Sequence, residues 1–150
     1  MPVFQSLLVP TDGSDQSIAA CKLATSLASN QGASIAFLNV VEADKVIASV
    51  MPGQGYSDPG AAIEAMHKAG TQILHDAVAG AQATGVEATS QLAEGASVDT
   101  ILSVAASVCA DLIVIGSHGR GGLKRLMLGS VAEGVVRRSP IPVLIIKVGP

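Results

Sequence analysis

The chain has 150 residues, of which 49% are hydrophobic and 14% charged, with a formal net charge of −3. That length predicts one domain, residues 1–150. With two Phe, one Tyr and no Trp, its core must be built from Ala, Val, Ile and Leu, and neither a basic face nor an aromatic ladder is available for nucleic acid. No apolar run approaches the ~20 residues that span a bilayer. The N-terminus shows no charged segment followed by a long apolar one, so a cytoplasmic location and no membrane partner are expected.

Short apolar runs alternate with longer helical patterns along the chain. The first run is Val3 to Val9. It ends in the turn Pro10-Thr11-Asp12-Gly13-Ser14, and a helix is predicted from Ser14 to Ser29, with Ile18, Cys21, Leu23, Ala24 and Leu27 as its apolar positions. A second strand is predicted from Ser34 to Val41. Residues 49–60, with two prolines and three glycines, read as the one long surface excursion, with a mobile lid as the other possibility. A helix follows from Ala61 to Ala83, with Ile63, Met66, Gly70, Ile73, Leu74, Ala77 and Val78 at three-and-four spacing.

Val86 to Leu92 is a weaker third strand, and Ser97 to Cys109 a third helix. Leu112 to Ile115 forms the fourth strand. The fourth helix runs from about Val131 to Arg138 and is stopped by Pro140 and Pro142. Val143 to Val148 is the last strand. The order β-α-β-α-β-α-β-α-β implies a parallel sheet with right-handed crossovers, in the α/β class. Cys21 and Cys109 both fall in predicted helices and read as buried thiols in a reducing compartment. His67, His75 and His118 have no Cys/His cluster around them, so no dedicated metal site is expected.

The chemistry concentrates after the fourth strand. Gly116-Ser117-His118-Gly119 is followed by Gly129-Ser130 in the pattern G-x2-G-x9-G-S. Glycines permit close backbone approach to a ligand, and a helix N-terminus presents free N–H groups to an anion. Ser130 reads as the N-cap, with Glu133 completing a capping box and Val131, Val135 and Val136 forming the apolar side. Gly121, Gly122, Lys124 and Arg125 would bring flexibility and positive charge. On the residues alone, this segment is either a phosphate cradle or an ordinary glycine-rich turn before a capped helix. His118 reads as a turn residue near the site rather than a general base, since no carboxylate lies close in sequence to orient it. Neither G-x-x-x-x-G-K-[ST] nor G-x-G-x-x-G is present, which argues against a P-loop NTPase and an ordinary dinucleotide site.

With Leu7-Leu8-Val9-Pro10-Thr11-Asp12-Gly13-Ser14, Ile113 to Arg120, Leu126 to Glu133 and Arg138 to Ile146 taken together, nearly the whole chain resembles the universal stress protein family. The intact glycine loop resembles that of the ATP-binding subgroup. The resemblance implies a Rossmann-like, adenine nucleotide alpha hydrolase-like fold with a five-stranded parallel sheet in order 3-2-1-4-5 and helices on both faces. It implies an ATP-binding, nucleotide-responsive regulatory module. It also implies that Pro10 and Thr11 line the adenosine pocket, that Asp12 meets the ribose, and that Val41 meets adenine through its backbone. Gly116, Gly119 and Arg120 would border ribose and phosphates, and Gly129, Ser130 and Val131 would hold phosphates. Mg2+ or Mn2+ would accompany ATP without a protein ligand set of its own. In that sheet order Val143–Val148 lies at an edge, so a homodimer through this strand is expected, together with a regulatory protein partner of unknown identity. No catalytic residue is assigned. A slow ATPase or phosphotransferase, and an interaction module with a vestigial loop, are the other readings.

Overall fold

The computed structural model describes residues 2–49, 58–118 and 128–148. Its strands are β1 (Ser6–Pro10), β2 (Ser34–Val41), β3 (Ala88–Glu94), β4 (Leu112–Gly116) and β5 (Val143–Ile146). Its helices are α1 (Asp15–Gln31), α2 (Ala43–Ser49), α3 (Pro59–Gln82), α4 (Ser97–Ser107) and α5 (Ser130–Arg138). The strands form one sheet in the order β3-β2-β1-β4-β5, every pair parallel. This is the sheet that the alternation of runs and the family resemblance imply.

Side chains alternate across a strand, and the two faces of this sheet carry separate cores. Leu7 and Val9 of β1, Ile35 and Phe37 of β2, and Leu112 and Val114 of β4 pack under α1 and α3. Leu8, Leu38, Ile113 and Ile115 pack on the other face with Ile101, Val104 and Ala105 of α4 and Ala132 and Val135 of α5. The central strands are buried on both sides, which is why they read as nearly continuous apolar runs. Helix α1 meets the sheet through Ser17, Ala20, Ala24 and Ala28. This small-residue stripe lets its axis lie close and leaves Ile18 and Leu23, expected inside, exposed. Met66 of α3 and Val136 of α5 are likewise exposed rather than core.

Several boundaries differ from expectation for local reasons. Strand β1 starts at Ser6 rather than Val3, because the Asp111 carboxylate fixes the chain there by accepting from the Gln5 and Ser6 amides at 2.9 and 3.0 Å. Helix α3 begins at Pro59. The Asp58 side chain caps it by accepting from the Gly60 amide at 3.0 Å, and proline suits the first turn. Pro59 and Gly60 therefore belong to a helix and not to the excursion, whose residues 50–57 lie outside the described residues. Helix α2 has no counterpart among the predicted elements. Seven residues are too few to display a helical period, and it is held at its start by the Glu42 carbonyl, which accepts from the Lys45 and Val46 amides. Cys109 is not a buried helical residue. It is exposed, lies beyond the end of α4 and takes a left-handed φ of 54°. Cys21 is half-buried in α1.

Candidate functional site

An open parallel sheet binds ligands at the carboxyl ends of its strands, where the connections diverge to opposite faces. Here that point lies between β1, whose chain leaves to α1, and β4, whose chain leaves to α5. The buried polar side chains of the described residues are Thr11, Ser17, Asn39, Ser117 and His118. All five gather at this end of the sheet or on the first turns of α1, and they form two hydrogen-bonded groups.

The first group holds the turn after β1. The Thr11 amide donates to the Leu38 carbonyl at 2.8 Å. The Asn39 side-chain amide donates to the Thr11 carbonyl at 2.9 Å. The Thr11 hydroxyl donates to Ser17 Oγ at 3.1 Å, and the Ser17 hydroxyl donates onward to the Ser14 carbonyl at 3.0 Å. Asp12 Oδ1 accepts the Ser14 amide at 2.9 Å, so Asp12 shapes its own turn. Ser14 then caps α1 by accepting from the Ser17 amide at 3.2 Å. Burial pushes the Cys21 thiol above its ordinary value of 9.0. A hydrogen bond with the Thr11 side chain opposes that shift, and the Asp12 charge adds to it.

The second group holds the end of β4. Gln16 Oε1 accepts both the His118 amide, at 2.9 Å, and the Ser117 hydroxyl. The Ser117 hydroxyl oxygen lies 3.2 Å from His118 Nδ1. The Gly129 amide donates to the Ser117 carbonyl at 2.7 Å, which joins the two ends of the intervening loop. Pro10, Thr11 and Asp12 thus come to lie on one side of the crevice, and Gly116 and Gly129 on the other. Gly119 and Arg120, with Gly121, Gly122, Lys124 and Arg125, lie outside the described residues.

Two expectations are corrected here. Ser130 is not the N-cap of α5. Gly129 is, with extended φ and ψ of −63° and 156°, and no side chain among the described residues caps the helix. Ser130 is the first helical residue, so no capping box forms. Glu133 instead pairs with Arg137 at 2.6 Å. The consequence favours anion binding, because the first-turn N–H groups of Ser130, Val131 and Ala132 have no intrahelical partner.

Gly116 is needed first for packing. A Cβ there would stand 3.0 to 3.1 Å from the backbone and Cβ of Gln16 in α1.

Val41 is the second correction. Its carbonyl accepts the Gly95 amide at 3.1 Å, on the β3 side. Along β2, Leu38 and Ser34 bond toward β1, whereas Ile35 and Val41 bond toward β3. By this alternation the backbone groups of Val40 point toward the β1 side. Because β1 ends level with Leu38, they open into the crevice.

Asn39 and Gln16 are the site residues that the sequence reading missed. Asn39 had a visible signal, being the one polar side chain inside the buried run from Ile35 to Val41. Gln16 had none, since a glutamine in the first turn of a helix is ordinary. Beside the crevice, Glu42 accepts from the Ser97 hydroxyl and pairs with Lys45 at 2.6 Å. Among the described residues there is no group of three or more His, Cys, Asp or Glu able to hold a metal ion, and no helix long and apolar enough to cross a membrane.

The sequence profile of the universal stress protein family matches residues 4–147. The chain is 37% identical to the universal stress protein YxiE of Bacillus subtilis over 148 residues, covering 97% of this chain and 100% of the relative. A universal stress protein solved in complex with cAMP superimposes with a TM-score of 0.67 at 30% identity, covering 96% of this chain and 97% of the other. A universal stress protein from Archaeoglobus fulgidus in complex with dAMP gives 0.64 at 25% identity, covering 98% and 100%.

Proposed function

The chain belongs to the universal stress protein family, and from that membership we propose that it is an ATP-binding, nucleotide-responsive regulatory module of the stress response. The observation that carries the reading is the meeting, at the switch point, of a rigid turn bearing Asp12 with a helix start that its own residue 129 leaves uncapped. The first suits a ribose. The second suits phosphates, because free N–H groups and the helix dipole favour negative charge. Relatives solved with cAMP and with dAMP share adenine and a ribose-type sugar, which supports the adenosine half.

In this reading Pro10 and Thr11 line the adenosine pocket and Asp12 takes the ribose hydroxyls. Adenine is read by the backbone of Val40 rather than that of Val41. Gly116, Gly119 and Arg120 border ribose and phosphates. The amides of Ser130 and Val131 and the Ser130 hydroxyl hold phosphate oxygens next to Gly129. Mg2+ or Mn2+ arrives with the phosphates, since the described residues offer it no cage of carboxylates.

No acid–base pair is assigned, so turnover is slow or absent. The protein acts in the cytoplasm, as a single domain over residues 1–150, and as a homodimer paired through β5. The test is calorimetry with ATP, GTP, AMP and cAMP, together with analysis of the small molecules released by heating purified protein. ATP binding tighter than GTP, with ATP or slowly formed ADP released, supports the reading. No ATP binding at millimolar ligand would sink it, and a turnover near the ordinary ~10 per second would make the protein an enzyme instead.

A further inference from the structure

We propose that Nε2 of His118 is a ligand for a divalent transition-metal cation held between this ring and the nucleotide's phosphates. The inference rests on the ATP-binding reading and adds a protein atom to the metal's coordination. It starts from a polar atom left alone: His118 is 9% exposed, and its Nε2 is buried with no hydrogen-bond partner among the described residues. Buried polar atoms are ordinarily satisfied, so an orphan at a ligand site implies a partner that arrives with the ligand.

The hydrogen-bond chain decides what kind of partner. The acceptor of the His118 amide must be an oxygen, which fixes Gln16 Oε1, and not its NH2, at this point. The Ser117 hydroxyl also contacts that oxygen and must donate to it. Having spent its one hydrogen, Ser117 Oγ can only accept from His118 Nδ1 at 3.2 Å. Nδ1 therefore carries a hydrogen, and a ring with that one hydrogen presents a lone pair at Nε2.

The position of the ring completes the argument. Cδ2, the carbon bonded to Nε2, lies 3.8 Å from where a Cβ on Gly129 would stand. The Cδ2 side of the ring thus lies beside the start of α5, next to first-turn amides that Gly129 leaves uncapped. Phosphate oxygens there and an Nε2 lone pair are both electron-pair donors, so a cation must stand between them, and the divalent ion that accompanies ATP can supply it. Ser130, exposed and with no capping bond, offers a hydroxyl beside the same point. An imidazole ligand favours Mn2+, Co2+ or Zn2+ over the oxygen-seeking Mg2+.

The experiment uses the full chain, ATP and the metals. Calorimetry should show ATP bound about tenfold more tightly with Co2+ than with Mg2+, beyond the ratio for ATP alone in solution. Electron spin echo spectra of the Mn2+–ATP complex should show modulation from an imidazole nitrogen. His118→Asn keeps a donor near the Nδ1 position and removes Nε2, so both the preference and the modulation should vanish. If that variant does not fold, the nitrogen modulation in the wild-type protein decides alone. Wild-type protein that binds Mn2+–ATP without nitrogen modulation overturns this inference and leaves the ATP reading standing. Wild-type protein that binds no ATP with any metal overturns both.

Discussion

Gly129 donates its amide to the Ser117 carbonyl at 2.7 Å, and a Cβ on residue 129 would stand 2.9 Å from that same oxygen and 3.3 Å from His118 Cα. The backbone angles of Gly129 are open to any residue. What demands glycine here is space, and the obstructing atoms are backbone that cannot rotate away.

Gly129→Ala should therefore break the junction that closes the loop. The expected cost is about 1–3 kcal/mol of stability, as for other overpacked sites, with a larger loss of ATP affinity because the first-turn amides of α5 shift. Thermal melts beside calorimetry check this. An alanine variant with wild-type melting and wild-type affinity would show that the junction is dispensable.

Gly116→Val is expected to act on the fold rather than on the ligand. Its added carbons would push against Gln16 at 3.0 Å, and Gln16 anchors both Ser117 and His118. A valine there should lower stability by about 1–3 kcal/mol, so lost binding in that variant would not isolate a ligand contact. Ser130→Ala is the cleaner probe. Its hydroxyl caps nothing, so melting should hold while ATP affinity falls by about 1 kcal/mol, roughly fivefold in Kd.

The contrast between these glycines marks what could be read from the sequence. The sheet was legible because its central strands are apolar on both faces, and a β/α alternation leaves few topologies. The glycine loop was legible as a pattern. What each glycine does was not, because Gly116 faces Gln16 across 100 positions of sequence. Long-range packing of that kind leaves no local trace. Ser130 invited the wrong role because S-x-x-E also occurs inside a first turn. The choice between Val40 and Val41 depends on strand parity, which an apolar Val-Val pair conceals.

Acid should loosen the edge of the site through Glu42. Burial opposes ionisation of this carboxyl, but its bonds to Lys45 and Ser97 outweigh that and hold it below the ordinary value of 4.5. The unfolded chain then binds the proton more readily than the folded one, so stability rises with pH through that window. The Glu42 contribution is present above pH 4.5 and is lost as pH falls through the folded value. Glu42→Gln should flatten the pH dependence of the melting temperature below 4.5. An unchanged slope would count against the Glu42–Ser97 link.

The proposed homodimer has a defined edge. The carbonyls of Pro142, just before β5, and of Ile146 at its end accept from the Ile113 and Ser117 amides, at 3.0 and 2.8 Å. Even-numbered residues thus bond inward, and the backbone groups of Val143 and Ile145 face away from β4. Leu144 on this strand and Val136 on α5 are exposed apolar side chains, and Lys147 is the one charge on the segment. Ile145→Pro removes an outward N–H without touching the bonds to β4. Light scattering should show a wild-type dimer at tens of micromolar and a variant shifted toward monomer or aggregate. A monomeric wild type at that concentration would refute pairing through β5.

The largest wholly buried side chain among the described residues is Phe37, and the chain contains one tyrosine and no tryptophan. The packing is aliphatic, with alanines where α1 meets the sheet. An optical consequence follows. The protein is nearly transparent at the wavelengths where aromatic residues absorb and fluoresce, so its ultraviolet spectrum is dominated by any adenine it carries. The nucleotide becomes its own reporter. A freshly purified sample announces its occupancy in a simple absorbance scan, and a single tryptophan placed beside the crevice would be read against a dark background.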